Sequence, residues 1–588
     1  MANRDMERLE EAASPHVLRD YVLIADGWRG AMINPDGEMS WLCFPSWSDP
    51  ATFAGLLGAG GGYRVAPTER HLYGGNYDDG TLIWRQRWVT PSGILEVKDA
   101  MAYPAERDRA VILRRLTALK GPQVARATLC LSSDYGRVAS AQWRRREDVW
   151  LAEAGAIRAR WHGANGAMPL GEDVGLTAEV RLEAGRHHDL TLELGLGRLH
   201  YAAPDADELW KATEAAWAQA VPRCADVEAP KDVRRAFAVL RGLTTPDGAS
   251  VAAVTTSLPE RAEAGRNYDY RYAWIRDSCY IGHAGAAVEG AERVLDDAVR
   301  WVTQRLLADG PETKPAYAID GSAVPPPSHL GLPGYPGGSD VVGNKVGSQF
   351  QLDLFGEALL LFAKAAQSER LDADGWKATE LAISAIEQHQ GRPESGIWEI
   401  EPDRWTHSRL ICVAGLRSIT QRDAPSRWRT NALALADSLL RTVDGTSLHS
   451  SGRWQRAPGD PRVDSSLLLS AIRGALSASD PRSVATREAI LADLSQDGYL
   501  YRYAEPTAEL GTNEGAFLIC NFWMVLAKLR SGDLGGAGQW FERTRASCGS
   551  SGLFSEEYDV AQHQLRGNVP QAFVHALLIE SAAELARA

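Results

Sequence analysis

The hydrophobic pattern of the chain changes near residue 220. Before that point, short runs of residues alternate between apolar and polar or are wholly apolar, as at 81–89, 94–99, 110–116 and 190–195. Clusters of Gly, Pro, Asn and Asp separate these runs. Such spacing is typical of an all-β sandwich. We therefore predict a β-sandwich domain over residues 1–222, with a helix at 203–219 leading out of it.

From residue 233 onward the apolar residues repeat with a helical period. The pattern predicts twelve helices and no strands, near 233–245, 277–289, 291–308, 347–367, 373–390, 407–420, 426–443, 464–476, 481–496, 513–531, 534–547 and 569–587. Twelve consecutive helices fit six helical hairpins closed in a ring, an (α/α)6 barrel, over residues 223–588. A plain helical bundle or an α-solenoid also fits the count, although no fixed solenoid repeat is visible.

Polar motifs fall at the N-terminal ends of the even-numbered helices. They are Arg276-Asp277, Gly343-Asn344, Trp398-Glu399, Asp464, Asn513-Glu514, and Glu556 with Gly567-Asn568. In a ring of hairpins the alternate helices form an inner layer and point the same way, so these segments would meet in one pocket. Helix N-termini also offer unpaired N–H groups to hydroxyls and carboxylates. The placement favours the barrel over the bundle and the solenoid.

Composition narrows the classes of partner. The chain has 588 residues and a formal net charge of −13, without basic clusters, which argues against nucleic acid and anionic membranes. No long apolar run predicts a membrane span. The charged N-terminus has no signal-peptide core. The seven cysteines are scattered and read as free thiols, so we expect a cytoplasmic protein.

The candidate chemistry rests on two glutamates. Glu399 ends a Gly-Ile-Trp-Glu sequence, and Glu556 lies in a second turn before a helix. A third segment, 268–277, is rich in aromatic residues and ends in an Arg-Asp pair. Separated carboxylates with aromatic walls suit acid–base cleavage of a sugar acetal. Glu401 competes with Glu399 for the role of acid, and Glu557 competes with Glu556 for the role of base.

Other chemistries have weaker support. A lone glutamate in a loop is usually a solvated surface charge, and an Arg-Asp pair can be a simple helix-start ion pair. His407 has no second histidine at metal-ligand spacing and no HExxH motif accompanies it, so we predict no metal. The glycine-rich segment 338–345 lacks the Gly-Lys-Ser/Thr ending of a phosphate loop.

The motifs together resemble glycoside hydrolase family 15, the group of glucoamylases, glucodextranases and bacterial trehalases. Matching segments occur in order along almost the whole chain, at 21–27, 36–45, 270–277, 349–353, 396–399, 514–518 and 568–573. The resemblance implies that Glu399 is the general acid and that Glu556 is the general base that activates water. It also implies inversion of anomeric configuration and no organic cofactor.

The same resemblance implies residues that bind the sugar. Arg276 and Asp277 would hold the terminal sugar, and Tyr270 and Trp274 would line its subsite. Further predicted substrate contacts are Trp41, Trp398, Trp405, His407 and Glu514. Segment 405–409 stands where many members have Tyr-Ser-Lys, which leaves linkage specificity open. The loop at 41–49 is expected either to reach the open face of the barrel or to close the core of the sandwich.

We predict an exo-acting α-glucosidase that releases β-glucose from the non-reducing ends of short α-glucosides. No separate starch-binding module is evident, which favours isomaltose or maltooligosaccharides as substrates. The alternatives are an α,α-trehalase, a glycoside phosphorylase and a non-catalytic sugar-binding protein. The candidate base Glu556 argues against the phosphorylase. The predicted partner is a small sugar, and the sequence does not give the oligomeric state.

Overall fold

Eighteen strands occupy the N-terminal part of the computed structural model, which describes residues 15–588 apart from 141–142, 171–174, 198, 200–203, 422–425 and 506–507. The strands are β1 (Val22–Ala25), β2 (Gly30–Ile33), β3 (Glu38–Cys43), β4 (Ala51–Phe53), β5 (Gly62–Pro67), β6 (Leu72–Tyr77), β7 (Trp84–Thr90), β8 (Gly93–Met101), β9 (Arg109–Lys120), β10 (Gln123–Cys130), β11 (Ser132–Ser133), β12 (Val138–Ala139), β13 (Arg144–Arg146), β14 (Val149–Ala154), β15 (Ile157–His162), β16 (Met168–Leu170), β17 (Gly175–Leu182) and β18 (His187–Leu196).

The strands form two large antiparallel sheets. One sheet has the order β1-β2-β3-β5-β10-β17-β16 with β4 on β3, and the other has the order β13-β14-β15-β18-β9-β8-β7-β6. Strands β8 and β10 contact each other across the two sheets, as do β17 and β18. Burial alternates along β7 and β10, as expected when one face of a sheet packs on a core. The four strands predicted at 81–89, 94–99, 110–116 and 190–195 are confirmed.

Thirteen α-helices follow in the described residues. They are α1 (Ala206–Ala220), α2 (Pro230–Leu243), α3 (Ile275–Ala287), α4 (Glu292–Asp309), α5 (Asp353–Gln367), α6 (Ala373–His389), α7 (Thr406–Ile419), α8 (Ser426–Ser447), α9 (Leu469–Ile472), α10 (Pro481–Leu494), α11 (Leu518–Arg530), α12 (Leu534–Arg545) and α13 (Ala572–Arg587). Each of the thirteen helices overlaps a helix predicted from the sequence. Helix α9 is short and extends a 3-10 turn at Ser465–Leu468.

Six of the helices contact one another in a closed cycle. Helix α3 contacts α5, α5 contacts α7, α7 contacts α9, α9 contacts α11, α11 contacts α13, and α13 returns to α3. We call these the ring helices. Helices α2, α4, α6, α8 and α12 each contact at least one ring helix. Helix α4 is amphipathic, with Val294, Leu295, Ala298, Val302 and Leu306 buried, whereas α11 is buried continuously from Leu518 to Ala527. An apolar stripe marks an outer helix, and burial on all sides marks an inner one.

Several ring helices begin later than the sequence predicts. Helix α5 was expected from 347 and begins at Asp353, and α11 was expected from 513 and begins at Leu518. Before α11 the chain is extended because Ala516–Phe517 pairs with Glu557–Asp559 in a short ladder, whereas a 3-10 helix at Lys345–Ser348 precedes α5. The prediction of no strands after residue 233 is therefore wrong, because several strands of two or three residues occur there.

The loop at 41–49 joins the sheets to the helical part. Trp41 is 1% exposed and its Nε1 donates to the carbonyl oxygen of Val254 over 2.8 Å. Arg271 donates to the carbonyl oxygen of Asp49 over 3.1 Å and pairs with Asp269 over 2.7 Å. The loop thus supports the segment that carries Tyr270. Among the described residues, no helix combines the length and apolarity needed to cross a membrane.

Candidate active site

One pocket of about 690 Å³ collects most of the predicted site residues at the N-terminal ends of the ring helices. Its aromatic walls are Tyr268, Tyr270, Trp274, Tyr280, Trp398, Phe517 and Phe573. Its charged side chains are Glu260, Arg276, Asp277, Lys345, Glu399, Arg502 and Glu556. A pocket with aromatic walls and a few convergent polar groups is typical of a small-molecule site.

Glu399 lies in the loop of residues 394–403, in an unusual backbone conformation. Its φ is +55°, and Gly396 in the same loop has a φ of +66°. The left-handed conformation is ordinary for glycine but costs another residue on the order of 1–3 kcal/mol. A tight turn maintains it, because the N–H of Glu399 donates to the carbonyl oxygen of Gly396 over 3.2 Å and that of Ile400 donates to Ser395 over 3.1 Å.

The carboxylate of Glu399 is fixed from one side of the pocket. Trp274 Nε1 donates to Glu399 Oε1 over 2.7 Å, and an Arg276 nitrogen lies 3.8 Å from the same oxygen. The side chain of Glu399 is 20% exposed and faces the pocket. The competing residue Glu401 is exposed on the surface. Of the two candidates for the acid, Glu399 lines the pocket and Glu401 does not.

Arg276 and Asp277 form part of the pocket floor. Arg276 lies 3.6 Å from Asp277 and 3.4 Å from Asp353, and it also donates to the carbonyl oxygen of Ile397 over 3.0 Å. Burial raises the pKa of Asp277 to about 7, while the charge of Arg276 opposes this rise. One Asp277 oxygen, Oδ2, has no hydrogen-bond partner. That oxygen is buried and could accept one further hydrogen bond.

Glu556 lies in the same pocket and is 5% exposed. The Tyr270 hydroxyl lies 2.9 and 3.1 Å from its two carboxylate oxygens. Burial raises the pKa of Glu556 well above its ordinary value, and the charge of Glu260 adds to the rise. Arg502 and the Tyr270 hydroxyl act in the opposite direction. The competing residue Glu557 is fully buried and accepts a hydrogen bond from the N–H of Gly515 over 2.6 Å.

A charged cluster behind Glu556 was not predicted from the sequence. Carboxylate oxygens of Glu260, Glu514 and Glu557 approach closely enough to share a cation. Arg502 pairs with Glu514 and lies 3.5 Å from Glu260, so a guanidinium already balances part of this charge. Burial raises the pKa of Glu260 to about 7. Glu260 follows a proline in a loop without a recognisable motif, so the sequence did not indicate a role for it. Arg502 lies between two tyrosines, as Arg271 does, and this shared pattern could have pointed to it.

Four predicted substrate residues do not line this pocket. Trp405 and His407 line a smaller cavity of about 250 Å³ on the other side of Trp398. Burial lowers the pKa of His407 to about 3, so its ring is neutral. Glu514 lies behind the pocket wall, bound to Arg502. Trp41 lies at the contact with Val254. Direct sugar contact by these four side chains finds no support in this geometry.

Trp398 remains at the pocket wall and separates the two cavities. Both carboxylate oxygens of Asp464 lie 2.8 Å from its indole Nε1. Phe517 packs edge-on against its ring at 5.6 Å between centroids. This indole therefore has a fixed orientation beside Glu399.

Comparison with known proteins defines the family. The sequence model described as Glycosyl hydrolases family 15 matches residues 238–583, and a model described as Trehalase-like, N-terminal matches residues 9–162. The chain belongs to glycosyl hydrolase family 15. The first match covers α3 to α12, most of α13 and the C-terminal part of α2, and it therefore includes Glu399 and Glu556. The resemblance inferred from the sequence motifs is confirmed.

Relatives and solved structures agree with the family assignment. The chain is 31% identical to a trehalase of Mycolicibacterium smegmatis, covering 97% of this chain and 91% of that protein. It is 29% identical to a trehalase of Mycobacterium tuberculosis, covering 97% and 90% respectively. A crystal structure of a bacterial glucoamylase complexed with acarbose superposes with a TM-score of 0.70 at 14% identity, covering 98% of this chain and 94% of that one. At that identity the superposition shows a shared fold.

Proposed function

We propose that the protein is an inverting hydrolase of α,α-trehalose, in which Glu399 is the general acid and Glu556 is the general base. The observation that carries this proposal is the presence of both carboxylates in one aromatic-walled pocket. The choice of trehalose is supported by two relatives that are named trehalase and align over nearly the whole chain. It replaces our sequence-based preference for isomaltose or maltooligosaccharides.

The proposed architecture is a β-sandwich over residues 1–222 and an (α/α)6 barrel over residues 223–588. The closed cycle of contacts among the ring helices supports the barrel. In such a barrel the segments before the ring helices converge at one end. Trp274, Glu399 and Glu556 belong to three of these segments.

In the proposed reaction the two glutamates act on opposite faces of one glucose ring. Glu399 donates a proton to the glycosidic oxygen as the bond to the anomeric carbon breaks. Glu556 accepts a proton from a water molecule that attacks this carbon from the other side. Asp277 and Arg276 hold the hydroxyls of the reacting glucose. Inversion requires carboxyl groups roughly 6.5–9.5 Å apart, which leaves room for the water.

Glu556 must be ionised to act as a base, although burial and the charge of Glu260 favour its protonated form. Arg502 and the Tyr270 hydroxyl are the groups that favour the carboxylate. We therefore infer that the balance among these side chains determines the pH at which the enzyme becomes active.

Proton NMR of fresh reaction mixtures tests the proposal. The protein is incubated separately with trehalose, maltose and isomaltose, without phosphate. We expect trehalose to be cleaved with the highest kcat/KM. Its products should be one β-glucose, from the attacked ring, and one α-glucose, from the leaving ring. Two α-glucose molecules at early times would contradict inversion.

Three other outcomes identify the alternatives. Faster cleavage of maltose or isomaltose would restore the short-glucoside assignment. Glucose 1-phosphate formed only after phosphate is added would indicate a phosphorylase. Binding of trehalose by calorimetry without turnover would indicate a non-catalytic sugar-binding protein.

A further inference from the structure

The loop of residues 394–403 is held from inside the protein by a carboxylate that has no contact with the pocket. Glu394 begins this loop and is 1% exposed. Its backbone pairs with that of Asp403 at the other end, with N–H to oxygen distances of 2.9 and 3.0 Å. The loop is therefore closed at its base, and Glu399 lies at its far end.

The side chain of Glu394 turns back into the loop. Oε2 accepts a hydrogen bond from the N–H of Gly396 over 2.7 Å and one from the N–H of Leu352 over 3.4 Å. Oε1 accepts from Arg409 over 3.1 Å. A single carboxylate thus ties the loop to the segment before α5 and to helix α7. Arg409 also donates to the carbonyl oxygen of Arg392, just before the loop, over 2.8 Å.

This bond acts at the residue where the unusual conformation begins. Gly396 has a φ of +66°, and its carbonyl oxygen accepts from the N–H of Glu399, whose φ is +55°. A left-handed glutamate persists only where the surroundings hold it there. On the pocket side, Arg276 binds the carbonyl oxygen of Ile397. On the opposite side, Glu394 binds the N–H of Gly396, so the turn is held from both sides.

Fold stability alone gives little reason for an ionisable group at this place. A buried ion pair commonly stabilises a fold no more than well-packed apolar residues would. What a carboxylate adds is a strong acceptor with two oxygens, which can bind a backbone N–H and a guanidinium at the same time. The arrangement fits a requirement for accurate placement of the turn.

We propose that Glu394 is a positioning residue that, through the N–H of Gly396, holds Glu399 where it can protonate the leaving oxygen. This inference rests on the proposed function of Glu399 as the acid. Loss of the hydrogen bond from Gly396 to Glu394 lets the turn relax and moves the Glu399 carboxyl group away from the glycosidic oxygen. A displacement of about 1 Å in a catalytic group can cost roughly 100-fold in rate.

The test compares two substrates that differ in their need for an acid. Trehalose has a poor leaving group that must be protonated, whereas fluoride leaves α-glucosyl fluoride with little help. We expect Glu394→Gln to lower kcat for trehalose about 10- to 100-fold with little change in KM. We expect kcat for glucosyl fluoride to remain nearly unchanged. Equal losses on both substrates would overturn the proposal.

Two further variants separate positioning from folding. Glu394→Asp keeps a charge near Arg409 but is one methylene too short to reach Gly396, so the same selective loss is expected. Asp99→Asn is the matched control, because Asp99 and Arg114 form a fully buried pair at 2.8 Å in the sheets. Asp99→Asn should lower Tm without changing the ratio of kcat for trehalose to kcat for α-glucosyl fluoride. A change in that ratio for the control would overturn the proposal.

A double variant tests whether Glu394 acts through Glu399. In a Glu399→Gln background, Glu394→Gln should cause little further loss on trehalose, because residues that act as one unit are not additive. Full additivity would contradict the inference. The wild-type rate on trehalose is measured first and tests the proposed function separately. If another α-glucoside is the better substrate, the same comparison is made with that glucoside.

Discussion

The indole of Trp274 donates a hydrogen bond to Oε1 of Glu399 over 2.7 Å. Trp274 is the residue before ring helix α3, and Ala273 and Trp274 pair with Tyr317 and Ala316 in a short ladder. The donor therefore belongs to a fixed backbone segment. The same segment supplies Arg276, 3.8 Å from the same oxygen. One hydrogen-bond donor and one positive charge from the same helix start thus lie at the proposed acid.

Replacing Trp274 with Phe removes the indole donor and keeps an aromatic ring against Tyr270. A hydrogen bond contributes about 0.5–1.5 kcal/mol. We expect kcat on trehalose to fall by up to about 10-fold, which corresponds to the upper end of that range. Steady-state kinetics measure this change, and Tm should remain within a few degrees of the wild-type value. An unchanged kcat would show that the ring contact alone matters.

Glu399→Gln should discriminate between substrates more strongly than any other single change in the pocket. Removing a general acid typically costs about 10²–10⁴ in rate. We expect a loss of this size on trehalose and a much smaller loss on α-glucosyl fluoride. Glu556→Gln is the companion variant, because both substrates need an activated water and both should slow. Equal losses in Glu399→Gln would mean that Glu399 does not protonate the leaving group.

The sequence was sufficient to predict the order of the elements, and it singled out Glu399 and Glu556, which both line the pocket. Helical periodicity is strong in segments such as Asp353–Gln367, where apolar residues pack on several sides. The Gly-Ile-Trp-Glu sequence at 396–399 stood out as a motif because it places a carboxylate after Gly and Trp.

Positions that depend on three-dimensional contacts were not predictable. Glu260 reaches the pocket because its loop meets the turn at Gly567, a contact between residues more than 300 positions apart. Trp405 was expected to contact sugar because it follows Glu399 closely, yet its ring packs on Gly396 and Arg456. Sequence proximity to a catalytic residue does not fix the direction in which a side chain points.

Trp41 provides a test of the contact between the sheets and the helical part. Its side chain is 1% exposed and does not line the pocket. Truncating a buried Trp to Ala costs roughly 3–5 kcal/mol. We expect Trp41→Ala to lower Tm clearly and to leave KM for trehalose unchanged in the folded fraction. Trp41→Phe, which loses mainly the bond to Val254, should be much milder. A raised KM in Trp41→Phe would show that the loop also serves the pocket.

The environment of Glu556 predicts how activity depends on pH. The base works only when ionised, so kcat/KM rises with pH as Glu556 loses its proton. The Tyr270 hydroxyl favours the ionised form and the charge of Glu260 disfavours it. Tyr270→Phe should therefore raise the pKa of Glu556 and move the acidic limb of the pH profile to higher pH. Glu260→Gln removes a negative charge and should move the same limb to lower pH.

The opposite signs of the two shifts make this prediction specific. A general loss of active enzyme would lower kcat/KM at every pH without moving the midpoint of the limb. The pH profile of kcat/KM measured with α-glucosyl fluoride depends on the ionisation of the base Glu556 and little on the acid Glu399. It should show both shifts. Tyr268→Phe is the matched control, since Tyr268 stacks on Tyr270 at 6.3 Å but forms no hydrogen bond to Glu556. Shifts of the same sign in Tyr270→Phe and Glu260→Gln would show that another group controls the limb.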